Sequence, residues 1–120
     1  MPKETTVYSY SGCGTCRKAL KWMADNGISP KIIPIREQPP KASELKRAIK
    51  QLGSLRPLFN TSGGDYKALA LKDRIADMDE SEAVELLSNN GNLVKRPFVL
   101  LPDGRVLVGF NAESYAEAFE

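Results

Sequence analysis

Cys13 and Cys16 are the only two cysteines among 120 residues, and they stand in Ser11-Gly12-Cys13-Gly14-Thr15-Cys16-Arg17-Lys18. A C-x-x-C pair placed between a predicted strand and a predicted helix is suited to thiol–disulfide exchange. The attacking species is the thiolate, so reactivity at neutral pH requires a lowered thiol pKa. Three neighbouring features favour one. The helix, expected to begin near Thr15, offers unpaired N–H groups and the positive end of its dipole. Arg17 and Lys18 add fixed positive charge within a turn. Gly12 and Gly14 allow backbone amides to approach sulfur with no Cβ in the way.

The residues that follow separate the two thiols. Cys16, Ala19, Leu20 and Met23 recur at helical spacing and define one buried face, so Cys16 points inward. Cys13 precedes the helix and is expected to sit exposed at its mouth. This makes Cys13 the candidate nucleophile and Cys16 the candidate resolving thiol. The alternative is that Cys16 is a small core residue and both thiols are spectators. Arg96-Pro97 precedes a later strand, and Arg96 is a candidate anion-binding or thiolate-stabilising group. Spacing alone favours an ordinary surface arginine there, because X-Pro bonds are cis in only about one case in twenty. The chain contains no histidine, which removes every Ser-His or Cys-His scheme and the commonest zinc ligand. With no second cysteine pair, no metal site is expected.

These residues must be placed by the surrounding elements. Thr5-Thr6-Val7-Tyr8-Ser9-Tyr10 reads as a strand, 15–26 as a helix stopped at Asn26-Gly27, and Lys31-Ile32-Ile33-Pro34-Ile35 as a second strand with Pro34 favouring an edge. Together they form a βαβ unit with parallel strands. From Glu37 to Asn92 the pattern is mostly helical. Leu45, Ala48, Ile49 and Leu52 form a stripe ending at Gly53, and Tyr66, Leu69 and Leu71 suggest a brief helix. Asp79-x-x-Glu82 is a capping-box pattern ahead of Ala83, Leu86 and Leu87. Phe98–Leu101 and Arg105–Val108 are strands joined by a Pro102-Asp103-Gly104 turn, and Asn111 caps a last helix carrying Tyr115 and Phe119 inward. The fold expected is α/β: a core of βαβ…ββα with a mixed four-stranded sheet, interrupted by an inserted helical subdomain. The core covers 4–36 and 93–120 and the insertion 37–92. The insertion is too short to fold alone, so residues 1–120 make one domain.

The bulk properties narrow the function further. Hydrophobic residues make up 42% and charged residues 27%, as in ordinary globular proteins, and the net charge is only +2. No basic field points to direct nucleic-acid or membrane binding. No apolar run approaches the roughly 18 residues a bilayer span requires, and no signal peptide is visible. A cysteine pair at redox spacing then suggests a cytoplasmic protein with a functional rather than structural pair.

Cys13-Gly14-Thr15-Cys16-Arg17-Lys18-Ala19, Leu58-Phe59-Asn60-Thr61-Ser62-Gly63, Tyr66-Lys67-x-Leu69-x-Leu71-Lys72, Lys95-Arg96-Pro97 and Val108-Gly109-Phe110 together resemble the arsenate reductase (ArsC)/Spx family. The resemblance runs in order along essentially the whole chain. It implies a thioredoxin-like core with an inserted helical subdomain, a cis bond at Pro97, and a role for Arg96 beside the active thiol. Glutaredoxin-coupled arsenate reductases form a thiol–arsenate adduct at the position of Cys13 and hold the oxyanion with the arginine matching Arg96 and two more. Those two positions are Asn60 and Gly109 in this sequence. Losing two guanidinium groups costs several kcal/mol of binding, at roughly 1.5–3 kcal/mol for each charged hydrogen bond. Such reductases also commonly lack the second cysteine and rely on glutathione. The Spx-type branch instead keeps the pair as a redox switch and binds the RNA polymerase α subunit.

The Leu58–Gly63 loop looks more like the poorly characterised reductase-like (Spx/MgsR-type) members. It reads either as a turn that packs the subdomain or as a polar pocket rim formed by Asn60, Thr61 and Ser62. The reading that combines these features is a monomeric thiol–disulfide oxidoreductase. It binds no cofactor and is reduced by glutathione or by a thioredoxin- or glutaredoxin-type protein. A redox sensor that binds RNA polymerase α is the alternative, and a glutathione/glutaredoxin-dependent arsenate reductase the second.

Overall fold

The computed structural model describes residues 4–61 and 64–119, apart from the side chain at position 65. The expectation placed on Ser62 falls outside this range. The chain divides into two compact units, Met1–Pro34 with Arg96–Glu120, and Ile35–Lys95.

In the first unit, β1 (Thr6–Ser9), α1 (Gly14–Asp25) and β2 (Lys31–Pro34) form the βαβ motif, and β3 (Phe98–Leu100), β4 (Val106–Val108) and α6 (Ala112–Ala118) complete it. The sheet has four strands in the order β2-β1-β3-β4. β1 pairs in parallel with β2 (Val7 opposite Ile32) and antiparallel with β3 (Val7 opposite Val99), and β3 pairs antiparallel with β4. The sheet is therefore mixed, as expected. The crossover through α1 makes the first pair parallel, and the hairpin makes the last pair antiparallel. Pro34 lies on an edge strand, where its missing N–H costs no ladder bond.

Val7, Ala19, Met23, Val99, Leu101 and Tyr115 form the core of this unit. Tyr115 meets Trp22 and Phe110 edge-on, at ring-centroid distances of 5.6 and 4.9 Å. Such T-shaped contacts suit the aromatic quadrupole. The hairpin turns at Gly104, whose φ of 94° needs a residue without a Cβ. Arg105 ties the hairpin down by pairing with Asp103 at 2.6 Å and donating to the Ala118 carbonyl at 2.8 Å.

The second unit contains α2 (Ala42–Leu52), the short α3 (Gly64–Ala68) and α4 (Leu71–Arg74), and α5 (Glu80–Asn89). Leu45, Ala48, Leu58, Leu71, Ala83, Leu87 and Leu93 are fully buried in it. Two expectations are corrected here. Leu69 lies outside any helix and is 42% exposed, because Ala70 adopts a left-handed φ of 52° that breaks the segment into two. Leu52 is 40% exposed, since α2 ends there at the left-handed Gly53. The pattern at Asp79 also forms only in part. Asp79 accepts the Glu82 N–H at 2.8 Å, but the Glu82 carboxylate turns to Arg74 at 2.7 Å rather than back to the helix start.

Candidate active site

The site grows from the end of β1. The chain leaves the sheet at Tyr10, whose carbonyl accepts the Cys13 N–H at 3.0 Å, and that turn delivers Cys13 to the N-cap of α1. Cys13 has extended backbone dihedrals, as N-cap residues do, and its sulfur takes the place of the usual oxygen. The Cys16 N–H donates to Cys13 Sγ at 3.3 Å. Cys13 is half-buried rather than fully exposed, while Cys16 is completely buried, in line with Ala19 and Met23. Both thiols are free.

The two sulfurs differ electrostatically. Burial by itself pushes the Cys13 thiol up. Hydrogen bonds from the Cys16 side chain and backbone N–H, the positive charge of Arg96, and the Thr15 N–H together bring it below the ordinary thiol value of 9.0. Burial raises the Cys16 thiol, and the neighbouring Cys13 reinforces this. Hydrogen bonds from the Tyr10 backbone and the Ser9 hydroxyl only partly oppose it. Cys13 is thus tuned toward thiolate and Cys16 toward thiol.

Arg96 stands just before β3, half-buried, with a cis peptide bond to the buried Pro97. Its guanidinium carbon lies 5.1 Å from the centre of the Tyr10 ring. Arg96 is thus half-buried against Tyr10 rather than free on the surface, and its positive charge is felt at Cys13. Arg17 and Lys18 are exposed, and the side chain of Arg17 folds back so that Nη2 lies 4.0 Å from where a Cβ on Gly14 would sit. The positive side chain that acts on Cys13 is Arg96. Gly12 has a steric reason to be glycine: an added Cβ would lie 2.7 Å from Cε2 of Tyr10.

Asn60 belongs to the second unit. Its backbone N–H donates to Leu93 O at 2.7 Å and its amide to Asn92 O at 3.3 Å, and Thr61 is exposed. Gly109 is buried with a φ of 77°; its N–H donates to Pro97 O at 2.9 Å and its carbonyl accepts the Tyr115 hydroxyl at 2.7 Å.

Ser9 and Tyr10 are the contributors that sequence reasoning missed. Both lie in a segment that reads simply as strand, and Tyr10 acquires its partner Arg96 only when β3 is laid beside β1. Ser9 offered one faint signal, a small polar residue at the buried end of a strand next to the cysteine loop.

Residues 8–118 match the model of the ArsC family. The chain is 46% identical over 114 residues to the protein YusI of Bacillus subtilis, covering 93% of this chain and 95% of that one. It is 32% identical over 104 residues to an arsenate reductase of Escherichia coli, covering 85% of this chain and 72% of that one. The crystal structure of an ArsC family related protein from Bacteroides fragilis superposes with a TM-score of 0.88 at 40% identity, covering 95% of this chain and 96% of that chain. By sequence and by fold, the chain belongs to the ArsC family.

Proposed function

We propose that the protein is a thiol–disulfide oxidoreductase built on the arsenate-reductase-like fold, with Cys13 as nucleophile and Cys16 as resolving thiol. The observation that carries this reading is the placement of the two thiols: Cys13 sits half-buried at the N-cap of α1 with its sulfur accepting the Cys16 N–H, and Cys16 is fully buried, a placement that favours thiolate at the first and thiol at the second. The Cys13 thiolate attacks a substrate disulfide, forming one S–S bond as the substrate S–S bond breaks, and the first substrate sulfur leaves as a thiolate that takes up a proton. Cys16 then loses its proton and attacks Cys13 Sγ. That step closes the Cys13–Cys16 disulfide and releases the second substrate thiol. The substrate gains two electrons, which glutathione or a thioredoxin- or glutaredoxin-type protein restores to the pair.

Disulfide chemistry is favoured over oxyanion reduction by the residue types at the positions where arsenate reduction implies arginines. Of the three arginine positions that arsenate reduction implies, Arg96 alone carries a guanidinium. Gly109 has its backbone groups engaged and a left-handed φ, and Asn60 uses its amide within its own unit.

The test is reduction of a small disulfide by glutathione or thioredoxin. Turnover is expected to vanish in Cys13→Ser, whereas Cys16→Ser accumulates a mixed disulfide at Cys13, read by mass spectrometry. Arsenate turnover unaffected by Cys16→Ser would assign the site to oxyanions instead. Absence of any turnover, with oxidation-dependent retention of the RNA polymerase α C-terminal domain, would make the pair a sensor.

A further inference from the structure

We propose that Tyr10 is a positioning residue of the site, its ring serving as the platform that holds the Arg96 guanidinium beside the Cys13 sulfur. This rests on the reading of Cys13 as the attacking thiolate and goes beyond it by assigning what places the cation. Among the contacts of Tyr10, three bear on this role. Its ring lies 5.1 Å below the guanidinium carbon of Arg96. The same ring packs so closely on Gly12 that a Cβ there would lie 2.7 Å from Cε2 and 3.0 Å from Cζ. Its carbonyl accepts the Cys13 N–H at 3.0 Å. One residue therefore fixes the backbone of the attacker and carries the charge that acts on it.

The choice of an aromatic partner has a physical consequence. The three ion pairs found among the described residues join Lys21 to Asp25, Arg74 to Glu82 and Arg105 to Asp103, and none involves Arg96. An arginine side chain with several rotatable bonds needs something to select one conformation. A carboxylate would do so but would also neutralise the charge that Cys13 feels. A ring face attracts the guanidinium through its quadrupole and leaves the full positive charge to act on the sulfur. Gly12 is the counterpart of this arrangement, since a side chain at position 12 would push the ring away.

Among the described residues, the charged or titratable side chains that act on Cys13 are Cys16 from α1 and Arg96 from the segment before β3. The experiment is therefore the pH profile of iodoacetamide alkylation of the reduced protein, read at Cys13 by fragment-ion mass spectrometry. Tyr10→Leu is expected to raise the midpoint and to lower the rate at a pH below it on the order of twofold, the scale of losing one partly exposed cation–π contact. Tyr10→Phe, which keeps the ring, should restore the wild-type profile. Gly12→Ala, which displaces the ring and leaves Tyr10 in place, should reproduce the Tyr10→Leu shift.

The deciding comparison is made in the Arg96→Gln background, where Tyr10→Leu should add nothing. An equal effect of Tyr10→Leu with and without Arg96, or no effect in its presence, overturns the platform role. A wild-type Cys13 that titrates at the ordinary thiol value is a different result, because it overturns the attacking-thiolate reading itself.

Discussion

At Cys13 burial and hydrogen bonding oppose each other, and the balance falls toward the thiolate because Cys16 and Arg96 act from opposite parts of the chain. Wild-type alkylation should accordingly reach half its maximal rate below pH 9.0, the ordinary thiol value, and Arg96→Gln should move that midpoint up. A second residue-scale expectation concerns Gly109. Placing arginine there to recreate an oxyanion clamp forces a side chain into a φ of 77°. The left-handed region costs a non-glycine residue roughly 1–2 kcal/mol. Gly109→Arg should therefore lower the urea midpoint by a corresponding amount. Unchanged stability would show that the backbone relaxes, and would reopen the position to a functional arginine.

The helix α1 would couple chemistry to stability because its N-cap is itself the proposed nucleophile. Cys13 Sγ accepts the Cys16 N–H, and serine is among the best N-cap residues while alanine is among the poorest. At a pH where Cys13 is still a thiol, Cys13→Ser should thus fold with at least wild-type stability, and Cys13→Ala should be less stable than Cys13→Ser by about 0.5–2 kcal/mol. Both should be inactive in disulfide reduction, so denaturant unfolding separates the two effects. Elements of this kind are readable in sequence because their signals are local. The stripe of Cys16, Ala19, Leu20 and Met23 predicts a buried helix face; Cys16, Ala19 and Met23 are fully buried and Leu20 is half-buried against the same core. Asn111 predicts a cap, and its side chain accepts the Ser114 N–H. What the pattern does not reveal depends on contacts between distant positions. The Tyr10–Arg96 stack, the turn of Glu82 toward Arg74, and the placement of Gly91 against the Ile35 carbonyl all require the chain to have folded first. Leu69 shows the same limit from the other side, since a left-handed alanine next to it cannot be read from periodicity.

Across the whole molecule, the thiol pair should leave a thermodynamic trace in the pH dependence of folding. With no histidine in the chain, no side chain titrates between about pH 5 and 8 at its unperturbed value. Asp103 is held below its ordinary value of 3.8 by the Arg105 N–H and guanidinium, so its contribution is present above that value and is lost only as acid protonates the folded state. Cys16 is raised, so the stability it adds is fully present below 9.0 and is lost as pH rises beyond that. The interval below 9.0 is left to Cys13. Its folded value is lowered, so the folded state releases the proton first, and stability grows as pH rises from the folded value toward 9.0. The measurement is reversible urea unfolding of the reduced wild type and of Cys13→Ser across pH 5 to 9. Their difference should be constant in acid and then rise in favour of the wild type before pH 9. Groups common to both proteins and not coupled to Cys13, including the α-amino terminus, cancel in that difference; Cys16, which Cys13 raises, affects it only above 9.0. A difference that stays flat to pH 9 would mean that the fold does not favour the Cys13 thiolate, and the attacker would then need activation from its substrate rather than from the helix and Arg96.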